Sequence, residues 1–317
     1  MKTLLRSLYH QLYPVLRNRS DNPFFRAAVW LLMNGLLARG TRMRWSPASA
    51  DIIRGDRLVR LSPSHWIYVL TVAKDFDIYF NCVVSKREGA YEVVDYSRTG
   101  LQTFRLSNLV FEVTGFPEEE ESILDYFRWY RPRAGETVFD LGANCGLSTY
   151  YLSQSVGATG KVYAFEPDKH NFKVLTNNIA RHNLTNVVPL QIAISGTSGE
   201  MTFFSEGTIG STLARNSNRP TTGTEEIVTA LTLADACKRY GIPSFVKIDI
   251  EGAEIEAIAA ARELLGKESI QFALDTNHYV QGELTTGEVE RLFRSCGYET
   301  MSSKEKGLMT TWARKPA

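Results

Sequence analysis

From residue 137 onward, short and mostly uncharged apolar runs alternate with segments of helical periodicity, and this alternation restricts the fold more than any other feature. TVFDL (137–141) precedes a helix from about 147, and KVYAFE (161–166) precedes a helix over 168–182. VVPLQIAI (187–194) leads into a long loop region that contains MTFFSE. A helix around 232–240 is followed by FVKIDI (245–250), a helix over 253–265, SIQFALD (269–275) and a helix around 285–296. Terminal strands near YETM and LMTTWAR close the chain. Strands with apolar centres joined by helical crossovers predict an α/β fold with a mostly parallel, doubly wound sheet. In such sheets ligands bind at the carboxyl ends of the strands, in the crevice where the strand order reverses.

The region ahead of residue 137 reads differently. HWIYVLTV, DIYFNCVV, AYEVVDY and NLVFEVTG, between residues 57 and 116, are short runs rich in Val, Ile, Tyr and Phe, and predict antiparallel strands of a small β-rich element. PEEEESILDYFRWY (117–130) begins with acids and continues apolar at helical spacing, which predicts the first helix of a third region running to residue 317. Residues 1–56 form the first region, with two helices over residues 1 to about 45. The first sixty residues hold 11 Lys or Arg against 3 Asp or Glu, in a chain whose net charge is only +1. A solvated basic face, packing on the protein's own body, a homodimer contact and peripheral contact with the inner face of a membrane all fit such helices. FFRAAVWLLMNGLLARG (24–40) falls short of the roughly 20 apolar residues that cross a bilayer, and the opening MKTLLRSLYH lacks the pattern of a secretory signal. Four widely spaced cysteines, at 82, 145, 237 and 296, form no CxxC pair and suit a reducing cytoplasm.

Three acids at one strand end pose the chemical question. FVKIDIEGAE (245–254) runs from an apolar strand into Asp249, Glu251 and Glu254, with Gly252 at the turn. Buried carboxylates are costly unless donors or cations meet them, so a strand that ends this way needs a purpose. The first strand of the alternating region ends in VFDLGANCGLS (138–148). There Gly142, Ala143, Asn144 and Gly146 make a turn before a helix N-terminus, and the glycines permit a close backbone approach to a ligand. The Gly-x-x-x-Gly spacing departs from the Gly-x-Gly-x-x-Gly of dinucleotide binders. Asp140, just before the turn, would repel a pyrophosphate and attract an amino group, directly or through water. Glu166 ends the second strand, where a carboxylate accepts from both hydroxyls of a ribose and excludes a 2′-phosphate. Together these features point to S-adenosylmethionine rather than NAD.

DLGANCG, FEP and VKIDIEGAE resemble the motifs of the FkbM family of S-adenosylmethionine-dependent methyltransferases, in that order and at similar spacing, over about residues 120–315. The resemblance implies a Rossmann-like methyltransferase sheet and O-methylation of a hydroxyl on a sugar, polyketide, lipid or other small molecule. Asp140, Gly142, Ala143, Asn144, Gly146, Glu166 and Asp249 are then the cofactor-binding set. Asp249, Glu251 and His278 are the catalytic candidates, with Asp249 or His278 accepting or sharing the acceptor's proton. Glu254 reads as a helix cap or a structural ion-pair partner. Asp275, ahead of His278 in the loop after the next strand, should face the same crevice. Asp249, Glu251 and Asp275 are hard oxygen donors, but their spacing alone assigns no metal. GTIGSTL (207–213) is a candidate lid or a plain surface loop, and Cys145 a small buried hydrophobe. An NAD-dependent oxidoreductase and a noncatalytic assembly module that binds the same cofactor are the competing readings. A nucleic-acid substrate is disfavoured, because no Asn-Pro-Pro-aromatic or Pro-Cys motif is present and the third region has no basic excess.

Overall fold

The computed structural model describes residues 27, 30, 31, 34, 37, 40–115, 117–205, 211–213, 224–305 and 308–316. The first expected N-terminal helix and most of GTIGSTL therefore lie outside the described residues, as does most of the second helix, of which Ala27, Trp30, Leu31 and Asn34 are described and helical. The chain divides into two compact units, Met1–Glu119 and Glu120–Ala317.

In the first unit, strands β1 (Thr41–Trp45), β2 (Ala50–Arg54), β3 (Arg57–Leu61), β4 (Lys86–Glu88) and β5 (Tyr91–Tyr96) form one sheet in the order β1-β2-β3-β5-β4. β6 (Gly100–Thr103) and β7 (Val110–Val113) form a separate hairpin. Two expectations fail here. The sheet begins at Thr41, inside the stretch expected to be helical. HWIYVLTV and DIYFNCVV, expected as strands, lie in a 3-10 turn (Pro63–Tyr68) and helices α1 (Val69–Lys74) and α2 (Phe76–Cys82). Their buried residues explain the outcome. Val69, Val72, Ala73, Phe76 and Phe80 recur every three or four positions, which is one face of a helix and not the alternation of a strand. Topology requires the same result, because β3 and β5 pair in parallel and a parallel pair cannot be joined by a tight hairpin. Much of the local positive charge is neutralised internally. Buried Asp51 pairs with Arg44 and Arg60 at 2.7 and 3.2 Å, and Asp77 pairs with Arg54 and Arg57 at 3.2 and 2.7 Å.

The second unit opens with a short helix, α3 (Glu120–Asp125), and then alternates as the sequence pattern predicts. Its strands and helices are β8 (Thr137–Leu141), α4 (Leu147–Val156), β9 (Lys161–Phe165), α5 (Lys169–Arg181), β10 (Val187–Leu190), β11 (Ala193–Ile194), β12 (Gly199–Ser205), β13 (Thr212–Leu213), β14 (Thr224–Leu231), α6 (Leu233–Tyr240), β15 (Phe245–Ile248), α7 (Glu254–Ala260), α8 (Arg262–Lys267), β16 (Gln271–Asp275), β17 (Tyr279–Val280), β18 (Glu283–Leu284), α9 (Thr285–Ser295), β19 (Glu299–Glu305) and β20 (Leu308–Arg314). The main sheet has the order β10-β9-β8-β15-β16-β20-β19. Its first five strands are parallel, and β20 runs antiparallel to both β16 and β19. This is the mostly parallel, Rossmann-like α/β sheet expected from the alternation. The loop expected around MTFFSE is instead a second small sheet, β11-β14-β12-β13, in which β12 pairs antiparallel with β14 along seven residues.

Both faces of the main sheet are covered. Phe139, Leu141, Val246, Ile248, Phe272 and Leu274 point into one core, whereas Val138, Phe245, Ala273 and Trp312 point into the other. Burying each such aliphatic or aromatic side chain contributes about 1.5–3 kcal/mol, which is why these strands read as continuous apolar runs. The chain builds outward from β8 through β9 to β10 and then returns to place β15 on the other side of β8. The strand order therefore reverses between β8 and β15, and the loops after these two strands border the crevice.

Candidate active site

The loop after β8 is locked to its neighbours by its own backbone. Gly142 and Ala143 N–H both donate to the Phe165 carbonyl at 2.9 Å, and Asp249 N–H donates to the Leu141 carbonyl at 2.9 Å. Gly142 has φ +78°, and a Cβ placed on it would lie 1.8 Å from the Asp249 carbonyl oxygen. The close approach that demands glycine here is thus between the loops after β8 and β15. Gly146, at φ +91°, abuts Leu175 of α5 in the same manner, with 2.6 Å left between a built Cβ and the Leu175 Cδ1. Asn144 occupies the left-handed region at φ 49°, a conformation its short polar side chain tolerates. Ala143 is fully buried, and Cys145 is 3% exposed, as expected of a small buried side chain.

Asp140 and Lys247 stand opposite each other in the β8–β15 register, both at most 1% exposed. Lys247 Nζ lies 3.5 Å from Asp140 Oδ1 and donates to the Gly142 carbonyl at 2.8 Å. Ser148 and Thr149 Oγ atoms donate to Asp140 Oδ2 at 2.8 and 2.6 Å. The Asp140 carboxylate is engaged inside the protein, where it fastens β8, the start of α4 and β15 together, and it is not presented at the surface of the crevice. Lys247 is a residue the sequence reading missed. Its signal was present, since a lysine within an otherwise apolar buried strand needs an acid partner.

Glu166, 4% exposed, accepts from Asn144 N–H at 2.8 Å and from Asp168 N–H at 3.0 Å, one on each carboxylate oxygen. Burial and then the charge of Asp168 push its carboxyl up to about 8, against the opposing pull of those backbone donors. The Asn171 side chain is a third donor, and the carboxyl keeps acceptor capacity for a ribose hydroxyl beyond these three. The donor chemistry therefore fits a nucleoside cofactor, with Glu166 and Asn144 as the residues that would hold the ribose. Asp168, also missed, caps α5 by accepting from His170 and Asn171 N–H, and its other oxygen accepts from Ser205 and Ser211 Oγ, each at 2.7 Å.

Beyond β15 and β16 the remaining candidates converge. Asp249 and Glu251, with side chains 16% and 20% exposed, lie over the buried ring of His278. His278 Nε2 is 3.6 Å from Asp249 Oδ1 and 3.7 Å from Glu251 Oε2, while Nδ1 is 2.9 Å from Glu254 Oε1. Glu254, fully buried at the start of α7, also accepts from Ile250 and Gly252 N–H at 3.2 Å, which fixes the turn that carries Glu251 at φ 53°. Burial opposes the imidazolium, but the carboxylates of Glu254 and Glu251 outweigh it and hold His278 well above the ordinary histidine range. The reason is the three acids around it, whose convergence depends on the β15–β16 pairing. Burial lifts Asp275 to about 7 despite the pull of His278, with Asp249 adding to the rise.

A mostly parallel sheet that reverses at β8–β15, with Glu166 on one side of the switch point and an acid–histidine cluster on the other, has the architecture of a Rossmann-like α/β methyltransferase. The family model for the methyltransferase FkbM domain matches residues 140–300, half of the chain, and the chain belongs to the FkbM methyltransferase family. It is 29% identical over 204 residues to the 31-O-demethyl-FK506 methyltransferase FkbM of Streptomyces tacrolimicus, covering 55% of this chain and 76% of that protein. It is 30% identical over 147 residues to the hexuronic acid methyltransferase AglP of Haloferax volcanii, covering 45% of this chain and 56% of that one. Among solved structures, a methyltransferase FkbM from Methylobacillus flagellatus KT matches with a TM-score of 0.43 and 18% identity, over 62% of this chain and 50% of that chain. The chain thus spans about half the length of these last two relatives. Membership sets aside the oxidoreductase reading. No helix among the described residues is long and apolar enough to cross a membrane.

Proposed function

We propose that this chain methylates a hydroxyl oxygen of a sugar, polyketide, lipid or other small molecule. The observation that carries the reading is the cluster of Asp249, Glu251, Asp275 and His278 at the carboxyl ends of β15 and β16, across the switch point from Glu166. S-adenosylmethionine, which the family implies, supplies when bound an activated methyl on a positively charged sulfur. The protein's tasks are to hold an oxygen in line with that methyl and to receive the proton the oxygen loses. Alignment of this kind supplies roughly 7–11 kcal/mol, and a positioned base about 10²–10⁴ in rate. Glu166 and Asn144 hold the ribose, and the Asp140–Lys247 pair keeps the loops after β8 and β15 in register. Asp249, the most accessible of the acids together with Glu251, orients the acceptor hydroxyl and takes its proton. Two relatives support an oxygen acceptor, since one is a 31-O-demethyl-FK506 methyltransferase and the other a hexuronic acid methyltransferase. The acceptor is sought by comparing metabolites and glycans of cells with and without the gene. Loss of one O-methyl group from a defined species is the expected result. A methyl lost only from nitrogen or carbon, or no loss with a protein that binds the cofactor, would overturn the reading.

A further inference from the structure

We infer that Asp249, Glu251 and His278 form a binding site for one divalent cation. One carboxylate oxygen from each acid and a ring nitrogen of His278 all lie within 4.8 Å of one another. The ring itself points to a ligand. At 7% exposure His278 is nearly sealed from water, yet Nε2 stands 3.6 and 3.7 Å from its two nearest carboxylates, beyond hydrogen-bonding distance. Nδ1, buried 2.9 Å from Glu254 Oε1, also lacks hydrogen-bond geometry. Nδ1 is thus a buried atom facing an acid without a formed hydrogen bond, and Nε2 is directed between Asp249 and Glu251 at distances longer than a hydrogen bond. The separations suit a shared cation. Ligands about 2.2 Å from one ion lie about 3.1 Å apart in octahedral geometry and about 3.6 Å apart in tetrahedral geometry. The 3.6 and 3.7 Å separations from Nε2 lie near the wider of these values, and the 4.8 Å that bounds the whole group requires the two carboxylates to draw together when an ion binds. Glu254, fully buried behind Nδ1, takes the position of the outer carboxylate that orients a metal-bound histidine. Two carboxylates and one imidazole suit Mn²⁺ or Mg²⁺, with the nitrogen favouring Mn²⁺.

This inference rests on the methyl-transfer reading only for the cation's purpose, which would be to seat the acceptor hydroxyl and ease its proton loss. The site's existence is tested separately, on the full chain and with the metal alone. Mn²⁺ is titrated while the free-ion electron paramagnetic resonance signal is read, and S-adenosylmethionine affinity is measured in parallel by calorimetry. One Mn²⁺ per chain is expected, weakened at least tenfold in Glu251→Gln and in His278→Gln, each variant keeping cofactor affinity within about threefold. Pulsed resonance of Mn²⁺-loaded wild-type protein should show nitrogen modulation from one imidazole, a readout that does not depend on the variants folding. Absence of stoichiometric Mn²⁺ at millimolar concentration, unchanged affinity in both folded variants, or no nitrogen coupling would overturn the site and leave a protonated His278 as the acids' partner. Cofactor binding without Mn²⁺ would remove the metal site alone, whereas Mn²⁺ binding without the cofactor would remove the methyl-transfer reading alone.

Discussion

Replacing Lys247 by Met tests whether the buried pair beneath the crevice is a latch. The substitution leaves the Asp140 carboxylate at 0% exposure with only the hydroxyls of Ser148 and Thr149 as donors, and removes the donor to the Gly142 carbonyl. Stripping one partner from a buried ion pair costs about 3–5 kcal/mol. In a unit the size of Glu120–Ala317, each kcal/mol lowers the melting temperature by about 2–4 °C, so a drop of about 6–20 °C is expected. Asp140→Asn alone should cost a similar amount, because Lys247 is then the stranded charge. The double variant Asp140→Asn, Lys247→Met removes both charges and should return to within about 1–2 kcal/mol of the natural protein, the residue being the lost bond to Gly142. The assay is urea or thermal unfolding of all four proteins at neutral pH, with S-adenosylmethionine affinity measured beside it. Recovery of both stability and affinity in the double variant is the outcome a latch requires. Additive losses would refute the coupling. Affinity that stays low in both Asp140→Asn proteins while stability recovers would return Asp140 to direct contact with the cofactor.

Gly142→Ala and Gly146→Ala both force alanine into the left-handed region, at about 1–2 kcal/mol each. Only at Gly142 is the obstacle another backbone, so urea unfolding should show a loss above about 3 kcal/mol there and a smaller one at Gly146, where the Leu175 side chain can turn aside. Equal losses would contradict the loop-to-loop contact. Glu166 binds its proton more tightly in the folded chain, with its carboxyl pushed up to about 8 from the ordinary glutamate range. Its contribution to stability is therefore complete at acid pH and is lost as pH rises through about 8, and Glu166→Gln should flatten that part of the melting-temperature profile. Parallel profiles for the two proteins would show that the carboxyl is not shifted. Asp249→Asn should keep cofactor affinity within a few-fold and lower turnover about a hundredfold once the acceptor is known; unchanged turnover at saturation removes Asp249 from proton transfer.

What could be read from the sequence was whatever one element decides for itself. β8, β15 and β16 are buried on both faces, so their apolar runs announced the parallel sheet, and Glu166 and Asp249 could be placed at strand ends from position alone. α1 and α2 were misread because Val, Ile, Tyr and Phe favour strands, and only the burial of Val69, Val72, Phe76 and Phe80 reveals the helical period. The β12–β14 ladder was missed for a related reason, since its partners are far apart in sequence and one face of β14 is largely exposed. The pairing of Asp140 with Lys247, and the gathering of three acids around His278, follow from which strands lie side by side and in what register. No local pattern carries that information.

The order of the main sheet also bears on how this unit is made in a cell. β20, the last strand, sits inside the sheet between β16 and β19, and Trp312 on it is fully buried with its indole N–H bonded to the Asp125 carbonyl at 3.1 Å. Until the chain through Arg314 has emerged from the ribosome, β16 is a bare edge beside an unfilled core, open to wrong partners. The strands that border the crevice are therefore made before the sheet that carries them can close.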